Sequence, residues 1–291
     1  MNRHSYIIIT PARDEAAHLP ETIKSVASQT VLPRWWVLVD DGSRDGTGPV
    51  LDDAAARYEW IRVLHRGDRG ARQAGEGVME AFYAGLNLVR DEPWEYLVKL
   101  DGDVSFEADY FEQCFARFSA EPDLGIGGGL ICNPVNGALR PEAKGDPRFH
   151  VRGATKIYRH ACWQAIGGLI RRVGWDTVDE LRANMLGWRT RTFEDVPIVH
   201  HRQAGGAYGA WANWTKNGRA AYVTGYHPLF MFAKCVKRFI KRPHEITALG
   251  LWVGFCGGYL RGLPQVNDPA LTKYVRKQQI NRLLLRPSLW S

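Results

Sequence analysis

The stretch VKLDGDV, residues 98–104, leads from a mostly apolar run directly into two aspartates, Asp101 and Asp103, separated by one glycine. The pattern from Tyr96 to Leu100 predicts a strand whose last residue is followed by both carboxylates. Such a turn can direct the two acids toward one hard divalent cation, which takes oxygen ligands and also binds substrate phosphates. Alone, the pattern is as typical of an ordinary turn, since Asp and Gly are common turn residues. Its surroundings therefore decide what it indicates.

Strand and helix patterns alternate on the N-terminal side of this stretch. Three short apolar runs predict strands, at residues 6–10, 36–40 and 61–64. Helical patterns separate them, at residues 19–28, 49–59 and 75–90. This alternation predicts an α/β fold with a mainly parallel sheet and helices on both faces. Ligands of such sheets bind beyond the carboxyl ends of the strands, which here are residues 11–15, 40–41 and 101–103.

The second half of the chain changes in character. The glycine-rich residues 125–153 predict a loop across the mouth of the sheet, residues 159–166 and 178–186 predict helices, and residues 189–200 predict a strand. After about residue 205 the sequence becomes aromatic and glycine-rich, and then basic and amphipathic. We therefore expect an α/β domain over residues 1–205 and a mostly helical extension over residues 206–291.

Composition favours a folded protein without disulfides. The chain has 291 residues, of which 45% are hydrophobic, and no stretch is low in complexity. Its five cysteines are odd in number and widely spaced, which predicts reduced, buried thiols. The first ten residues contain an apolar run too short for a secretory signal, so we expect a cytoplasmic location.

The net charge of +7 has three possible explanations: binding to nucleic acid, binding to anionic lipid, or simply a charged surface exposed to solvent. No nucleic-acid-binding motif accompanies the charge, so no nucleic-acid partner is expected. The basic residues concentrate late, in residues 234–244 and 273–286.

A second carboxylate motif, VLVDDGSRDGT, occupies residues 37–47 and again follows a predicted strand. A carboxylate here could accept hydrogen bonds from a base or a ribose, while the glycines would let the backbone approach a ligand. A capped helix start is the alternative interpretation.

In this order, ITPARDEAAHLPETIKSVASQT (residues 9–30), VDDGS (39–43) and KLDGD (99–103) resemble glycosyltransferase family 2, whose members are inverting enzymes with the GT-A fold for nucleotide-diphospho-sugar transfer. The resemblance covers about residues 5–202. It implies that the donor nucleotide contacts Pro11, Ala12, Arg13, Glu15 and Asp41. It also implies that Asp101 lies near the ribose and the metal, and that Asp103 binds Mn²⁺ or Mg²⁺ directly.

The family's catalytic base usually begins a helix, with a basic residue six positions later and a glycine about eleven later. In GWDTVDELRANMLGW, residues 174–188, Asp176 has Arg182 and Gly187 at those spacings. Trp175 stands where the family usually has a glutamate, and Asp179 lies one turn later. Both Asp176 and Asp179 therefore remain candidates, and capping of the helix N-terminus is an alternative role for them.

Two further segments resemble parts of the family's site. His200, His201 and Arg202 end a predicted strand: the resemblance implies His201 as a metal ligand and His200 or Arg202 as a phosphate clamp, and a structural histidine pair is the alternative. Gly153 and Ala154 resemble the small residues beneath the donor sugar, although such residues also simply allow close packing.

The extension matches no family motif. Its basic stretch KCVKRFIKR, residues 234–242, is followed by the apolar run 246–260. This pattern is consistent with contact with an anionic membrane surface, with a dimer interface, or with packing against the core. The apolar run, at about 15 residues, is shorter than the roughly 20 residues of a membrane-spanning helix.

These expectations combine into a metal-dependent enzyme that transfers a sugar, typically from a UDP-linked donor, to a hydroxyl of a glycan or lipid-linked acceptor with inversion. Surface polysaccharide or glycolipid synthesis at the inner face of a membrane is the setting that the family implies. A sugar nucleotidyltransferase and a non-catalytic nucleotide-sugar-binding scaffold are the alternatives. The nucleotidyltransferase typically needs a glycine-rich loop after the first strand, where this chain has PARDEAAH, residues 11–18.

Overall fold

The computed structural model describes residues 5–68, 70, 75–135, 137–143, 146–202, 209–240 and 245–290. Its strands are β1 (Tyr6–Ala12), β2 (Trp35–Asp40), β3 (Ile61–His65), β4 (Tyr96–Leu100), β5 (Val104–Ser105), β6 (Leu124–Val135), β7 (Ala138–Pro141), β8 (Thr155–Arg159) and β9 (Arg189–His200). Its helices are α1 (Leu19–Ala27), α2 (Thr47–Arg57), α3 (Glu76–Asn87), α4 (Tyr110–Ala120), α5 (His160–Ile166), α6 (Trp175–Met185), α7 (Gly209–Val223), α8 (Pro228–Ile240), α9 (Glu245–Leu260) and α10 (Pro269–Leu283).

One sheet organises the first two thirds of the chain, with strand order β3-β2-β1-β4-β8-β6-β9-β5 and β7 paired to β6. Strands β3, β2, β1 and β4 are parallel, as are β6 and β9, whereas β8 is antiparallel to both of its neighbours. In β1, Tyr6 and Ile8 face one apolar cluster with α1, α2 and α4, while Ile7 and Ile9 face another with α3, α5 and α6. Burial on both faces explains why these strands are continuously apolar. The predicted sheet with helices on both faces is confirmed.

The glycine-rich segment was expected to be a loop, and this expectation is wrong for its first half. Residues 124–135 form the long strand β6, which pairs with three other strands. A Cβ on Gly127 would lie 2.7 Å from the Phe193 ring, and one on Gly129 would lie 2.5 Å from the Val196 carbonyl oxygen. Glycine therefore serves close packing here. Strand β8, directly before α5, was also missed.

The extension is helical, as expected, and α7 to α10 share a third apolar cluster with Val178 and Leu181 of α6. It thus packs against the domain that carries the sheet. The expected boundary at residue 205 lies outside the described residues. Among those described, no helix is both long and apolar enough to cross a membrane. All five cysteines are free thiols, and Cys256 alone is only partly buried.

Candidate functional site

The ends of β1 and β2 bring the predicted nucleotide-binding residues together. Pro11 and Ala12 are the last residues of β1, and the amide of Asp41 donates a hydrogen bond to the Ala12 carbonyl at 2.8 Å. The buried Arg13 guanidinium donates to the Asp41 carbonyl at 2.8 Å and to the Asp68 carboxylate at 2.7 Å. The parallel register of β1 and β2 is what places these residues side by side.

The turn after β2 depends on a glycine. Gly42 has φ of +74°, and a Cβ there would lie 2.5 Å from the Cα of Asp68. Glycine is needed both for the left-handed backbone and for the close approach of the two chain segments. The Asp41 carboxylate beside this turn accepts from Arg66 at 2.7 Å. The V-D-D-G-S motif therefore forms a tight turn at the edge of the sheet, with the guanidinium groups of Arg13 and Arg66 beside it.

Arg202 joins the loop after β1 to the end of β9. Its guanidinium donates to the buried Glu15 carboxylate at 2.7 Å and to the Asp14 carbonyl at 3.2 Å. The same guanidinium lies 3.8 Å from the Asp103 carboxylate. One cation thus links the loop after β1 to the D-x-D turn, where negative ligand oxygens could also bind.

Asp101 and Asp103 follow β4 and lie in different surroundings. The Asp101 amide donates to the Ala154 carbonyl at 2.9 Å, and its carboxylate pairs with Lys99. Lys99 is almost fully buried and also donates to the Gly153 carbonyl at 2.6 Å. Burial raises the pKa of Asp101 despite the nearby lysine charge. Residues 153 and 154 are thereby attached to the D-x-D turn.

Asp103 has only 6% of its surface exposed, and its Oδ1 accepts no hydrogen bond from any described residue. The nearest cation to that oxygen is His200, whose Nε2 lies 3.5 Å away, too far for a good hydrogen bond. Burial opposes ionisation, but His200 and Arg202 together lower the pKa of Asp103. The carboxylate is thus held ionised with one buried oxygen unsatisfied.

The two histidines at the end of β9 have different positions. His200 lies between Asp103 and Glu142, with Nδ1 3.2 Å from the Glu142 carboxylate. Burial disfavours its charge, yet these two carboxylates raise the pKa of His200 to about 10. His201 instead contacts the Ser105 hydroxyl at 2.8 Å and stacks on His18. The side chain of His200, and not that of His201, lies beside the Asp103 carboxylate, whereas the His201 amide donates to the Asp103 carbonyl at 2.9 Å. Adjacent residues at the end of the strand point their side chains in opposite directions.

Asp176 begins α6 and faces the same small-residue segment. Its Cβ lies 3.5 Å from where a Cβ on Gly153 would be, and its backbone carbonyl accepts from Lys156 at 2.5 Å. The buried ring of Trp175 lies beside Gly153, with the ammonium groups of Lys99 and Lys156 at 5.2 and 5.7 Å from its centroid. Gly153 therefore lies between Asp176 and the lysine that pairs with Asp101 of the D-x-D turn.

Asp179, the second candidate base, is enclosed by the protein and is not at its surface. It is 1% exposed, and its carboxylate accepts from Lys156 at 2.9 Å and from the Tyr158 hydroxyl at 2.7 Å. Burial raises its pKa to about 6, against the effect of Lys156. Glu180, also fully buried, binds Lys156 at 2.7 Å and His150 at 2.9 Å. A carboxylate enclosed in this way is inaccessible to an acceptor hydroxyl.

The sequence analysis did not identify three charged residues that contact the candidate site residues: Lys99, Lys156 and Glu142. For the lysines a signal exists, because each interrupts a strand of otherwise apolar or β-favouring residues, VKL and TKIY. A lysine in such a run is rarely buried without a paired carboxylate. Glu142 offers no comparable signal, since it follows the exposed strand β7.

The mixed, mostly parallel sheet, with carboxylates and cations at the carboxyl ends of its strands, has the GT-A glycosyltransferase fold. Among solved structures, the chain resembles the mannosyltransferase PcManGT from Pyrobaculum calidifontis in complex with GDP-Man and Mn²⁺, with TM-score 0.56, 17% identity, and coverage of 96% of this chain and 81% of that one. S. aureus TarS 1-349 in complex with UDP-GlcNAc is similar with TM-score 0.54, 15% identity, and coverage of 90% and 74%. The model of Glycosyl transferase family 2 matches residues 7–173, so the chain belongs to this family.

Curated relatives agree with the family. The chain is 31% identical over 134 residues to polyprenol monophosphomannose synthase of Mycolicibacterium smegmatis, covering 44% of this chain and 48% of the relative. It is 32% identical over 104 residues to undecaprenyl-phosphate mannosyltransferase of Micrococcus luteus, covering 35% and 40%. The match thus spans less than half of each relative.

Proposed function

We propose that this protein transfers a sugar from a nucleoside diphosphate donor to a hydroxyl group, with inversion at the anomeric carbon. The observation that carries the proposal is the position of Gly153 between Asp176 and the D-x-D turn: its Cβ position is 3.5 Å from the Asp176 Cβ, and its carbonyl shares Lys99 with Asp101. In the same turn, Asp103 has a buried oxygen that accepts no hydrogen bond from the described residues. A donor sugar over Gly153 would have its diphosphate near Asp103 and the opposite side of its anomeric carbon near Asp176.

The donor nucleotide would bind the corner formed by Pro11, Ala12, Arg13 and Asp41, with Glu15 held behind it by Arg202. The Asp41 carboxylate accepts hydrogen bonds, which suits a base N–H or ribose hydroxyls. We propose uridine as the base. Arg202 lies where it could bind a diphosphate oxygen by giving up part of its contact with Asp14.

A divalent cation, Mn²⁺ or Mg²⁺, fits the D-x-D turn. Among the described residues, no three His, Cys, Asp or Glu side chains form a metal-ligand group. Two carboxylates are nevertheless enough, since such ions commonly bind one or two carboxylates together with substrate phosphates. The Oδ1 of Asp103, unsatisfied among the described residues, would be the first ligand, with Asp101 as the second carboxylate of the turn. When bound, the ion would neutralise charge on the leaving diphosphate.

Asp176 would act as the general base. Its carboxylate takes the proton of the acceptor hydroxyl as that oxygen forms a bond to the anomeric carbon. The bond from that carbon to the diphosphate breaks on the opposite side, and its electron pair leaves with the diphosphate. One base on the far side of the sugar is sufficient for inversion. The contact of Lys156 with the Asp176 carbonyl fixes the first turn of α6 for this step.

The acceptor we propose is a hydroxyl group of a glycan or of a lipid-linked sugar at the inner face of a membrane. Support for a lipid-borne acceptor comes from the two curated relatives, whose names refer to phosphorylated polyprenols. Surface polysaccharide or glycolipid synthesis is the corresponding process.

The experiment is a ligand screen by thermal shift with UDP, GDP and their sugars, each with and without Mn²⁺. A ligand at about 100 times its dissociation constant stabilises the native state by about 2.7 kcal/mol. We expect a metal-dependent shift with a uridine nucleotide, and none with the Asp103→Ala variant. Asp109→Ala, at an exposed aspartate six residues later, is the matched control and should behave like the parent.

Product analysis separates the alternatives. Release of nucleoside diphosphate from a donor sugar identifies glycosyl transfer, whereas pyrophosphate release identifies a nucleotidyltransferase. Binding without turnover under any acceptor condition would leave only the scaffold. A metal-dependent shift that persists in Asp103→Ala would show that the ion does not bind at the D-x-D turn.

A further inference from the structure

Two helices of the extension expose apolar side chains on one side each. In α8 these are Leu229, Phe232, Val236, Phe239 and Ile240; in α9 they are Ile246, Leu249, Val253 and Leu260. Their exposed fractions range from 41% to 87%. Steps of three and four residues place them on a single face of each helix. We call these nine residues the α8–α9 face.

The two halves of this face adjoin. The exposed ring of Phe232 lies 5.8 Å from the ring of Trp252 in α9, so the helices are in side-chain contact next to the exposed residues. Single exposed apolar residues are normal on a soluble protein, but contiguous groups of this size mark interaction sites. We therefore expect the α8–α9 face to bind a partner.

The opposite side of α9 is held in place by glycines. Gly250, Gly254 and Gly258 occur every four residues and face α7, where a Cβ on Gly254 would overlap the carbonyl of Thr215. Such small-residue spacing lets helices approach closely and is frequent in helices that pack within lipid. Since α9 cannot rotate without breaking this contact, its outer side stays exposed in the isolated protein.

Charge distribution identifies the partner's chemistry. Residues 206–291 contain 13 Lys and Arg but only two Asp and Glu, although the whole chain has a net charge of only +7. The remaining 205 residues are thus net acidic. Lys237 and Arg261, at the ends of α8 and α9, are exposed. A basic unit with an apolar face complements anionic lipid headgroups, whereas two copies of this unit would repel each other.

We propose that the α8–α9 face binds the surface of a bilayer that contains anionic lipid, with both helices lying in the interface. A helix of 16 residues is about 24 Å long at 1.5 Å per residue, shorter than the roughly 30 Å hydrocarbon core, which favours a flat orientation over a spanning one. This proposal concerns binding alone and does not depend on the proposed catalysis.

The bilayer contact lies on the unit that supports the candidate base. The Ala220 carbonyl of α7 lies 3.2 Å from a Cβ position on Gly174, the residue directly before α6. Arg182 of α6 also pairs with Asp268, the N-cap of α10, at 3.4 Å. The helices that would touch lipid, α8 and α9, therefore belong to the same packed unit as α7 and α10, which contact the segment that carries Asp176.

The test is co-sedimentation of the full chain with phosphatidylcholine vesicles, alone or with about 30 mol% phosphatidylglycerol, an anionic fraction sufficient for a negative surface potential. We expect binding to the anionic vesicles that weakens with salt. Phe239→Ser/Ile240→Ser on α8 and Leu249→Ser/Val253→Ser on α9 should each weaken it about 10-fold or more, because each removes two apolar anchors. Lys237→Gln should weaken binding about five-fold to anionic vesicles only.

Leu88→Ser and Leu139→Ser are matched controls, since both side chains are similarly exposed but lie in the other domain. They should bind like the parent, and thermal melting should show every variant folded. Unchanged vesicle binding in both double variants would overturn the proposal. So would concentration-dependent dimerisation, by sedimentation velocity, that the same double variants abolish while vesicles bind none of the proteins. Loss of sugar transfer with vesicle binding retained would count only against the proposed function.

Discussion

The cleft carboxylates Asp101, Asp103 and Asp176 differ from the buried pair Asp179 and Glu180 in how completely they are paired. Asp179 and Glu180 share Lys156, and each has a second partner, Tyr158 or His150. Asp103 keeps an oxygen to which no residue that the structure describes donates a hydrogen bond. Asp179 and Glu180 are fully enclosed, whereas Asp176, in the first turn of the same helix, is only partly buried. The five residues are all carboxylates, so the number of their hydrogen bonds and ion pairs, and not their residue type, distinguishes the structural pair from the proposed ligand-binding group.

Asp176→Asn should produce the largest change, because it removes the proposed base while leaving its surroundings intact. General-base catalysis contributes about 10²- to 10⁴-fold in rate. We expect kcat to fall by that factor and the free energy of unfolding to change by less than about 0.5 kcal/mol, because the substitution keeps the size of a partly exposed side chain. Steady-state kinetics and urea unfolding measure the two. Asp53→Asn, at an exposed position on α2, is the control; an unaltered kcat in Asp176→Asn would remove this residue from the mechanism.

Lys156→Met tests the buried side of the comparison. It removes the cation shared by two fully buried carboxylates. Breaking a buried ion pair typically costs about 3–5 kcal/mol of unfolding free energy, because a charge is left uncompensated. Urea unfolding should show this loss, while Lys24→Met at an exposed lysine should show almost none. A stability close to that of the parent would mean that Asp179 and Glu180 do not depend on Lys156.

Gly153→Ala tests the narrow separation between Asp176 and the D-x-D turn. A Cβ there would lie 3.1 Å from the Trp175 ring and 3.5 Å from the Cβ of Asp176. Overpacking of this kind typically costs about 1–3 kcal/mol. We expect a moderate fall in melting temperature together with a higher KM for the donor, since the sugar would lose space. Ala154→Gly, one residue later, is the size-matched comparison, and an unchanged KM in Gly153→Ala would place the sugar elsewhere.

The smallest effect concerns pH. Burial disfavours the charged form of His150, but the Glu180 carboxylate raises its pKa overall. A raised pKa in the folded state contributes stability that is complete below the unfolded pKa of about 6.5 and is lost as pH rises through the folded value. His150→Gln should therefore cost of the order of 1 kcal/mol at acidic pH and less at alkaline pH. Urea unfolding at both pH values measures this; a cost that grows with pH would have the wrong sign.

Local patterns were sufficient for much of the fold. Residues 6–10, 36–40 and 61–64 were predicted as strands, and each is a strand within one or two residues at either end. Strand β9 was predicted with its observed ends. The first three strands are mostly apolar and β9 begins with alternating residues, so local sequence patterns identify them. The parallel half of the sheet then follows from the helices between its strands.

Residues 124–135 show where local reasoning fails. Three consecutive glycines predict a loop, yet they lie in a central strand because Phe118, Phe193 and Tyr110 fill the space that their side chains would occupy. The large partners are distant in sequence, so nothing within the segment indicates them. For the same reason the sequence could not distinguish His200 from His201 as the neighbour of Asp103.

The sequence by itself determined the family, the alternation of strands and helices, and the position of the D-x-D and V-D-D-G-S motifs at strand ends, because these depend on composition and spacing along the chain. Only the tertiary structure decided that Asp176 faces Gly153 while Asp179, three residues later, is enclosed by Lys156 and Tyr158. Both aspartates suit the first turns of a helix equally well. The difference between them is a difference in burial and partners, which arises when β8 and α6 pack together.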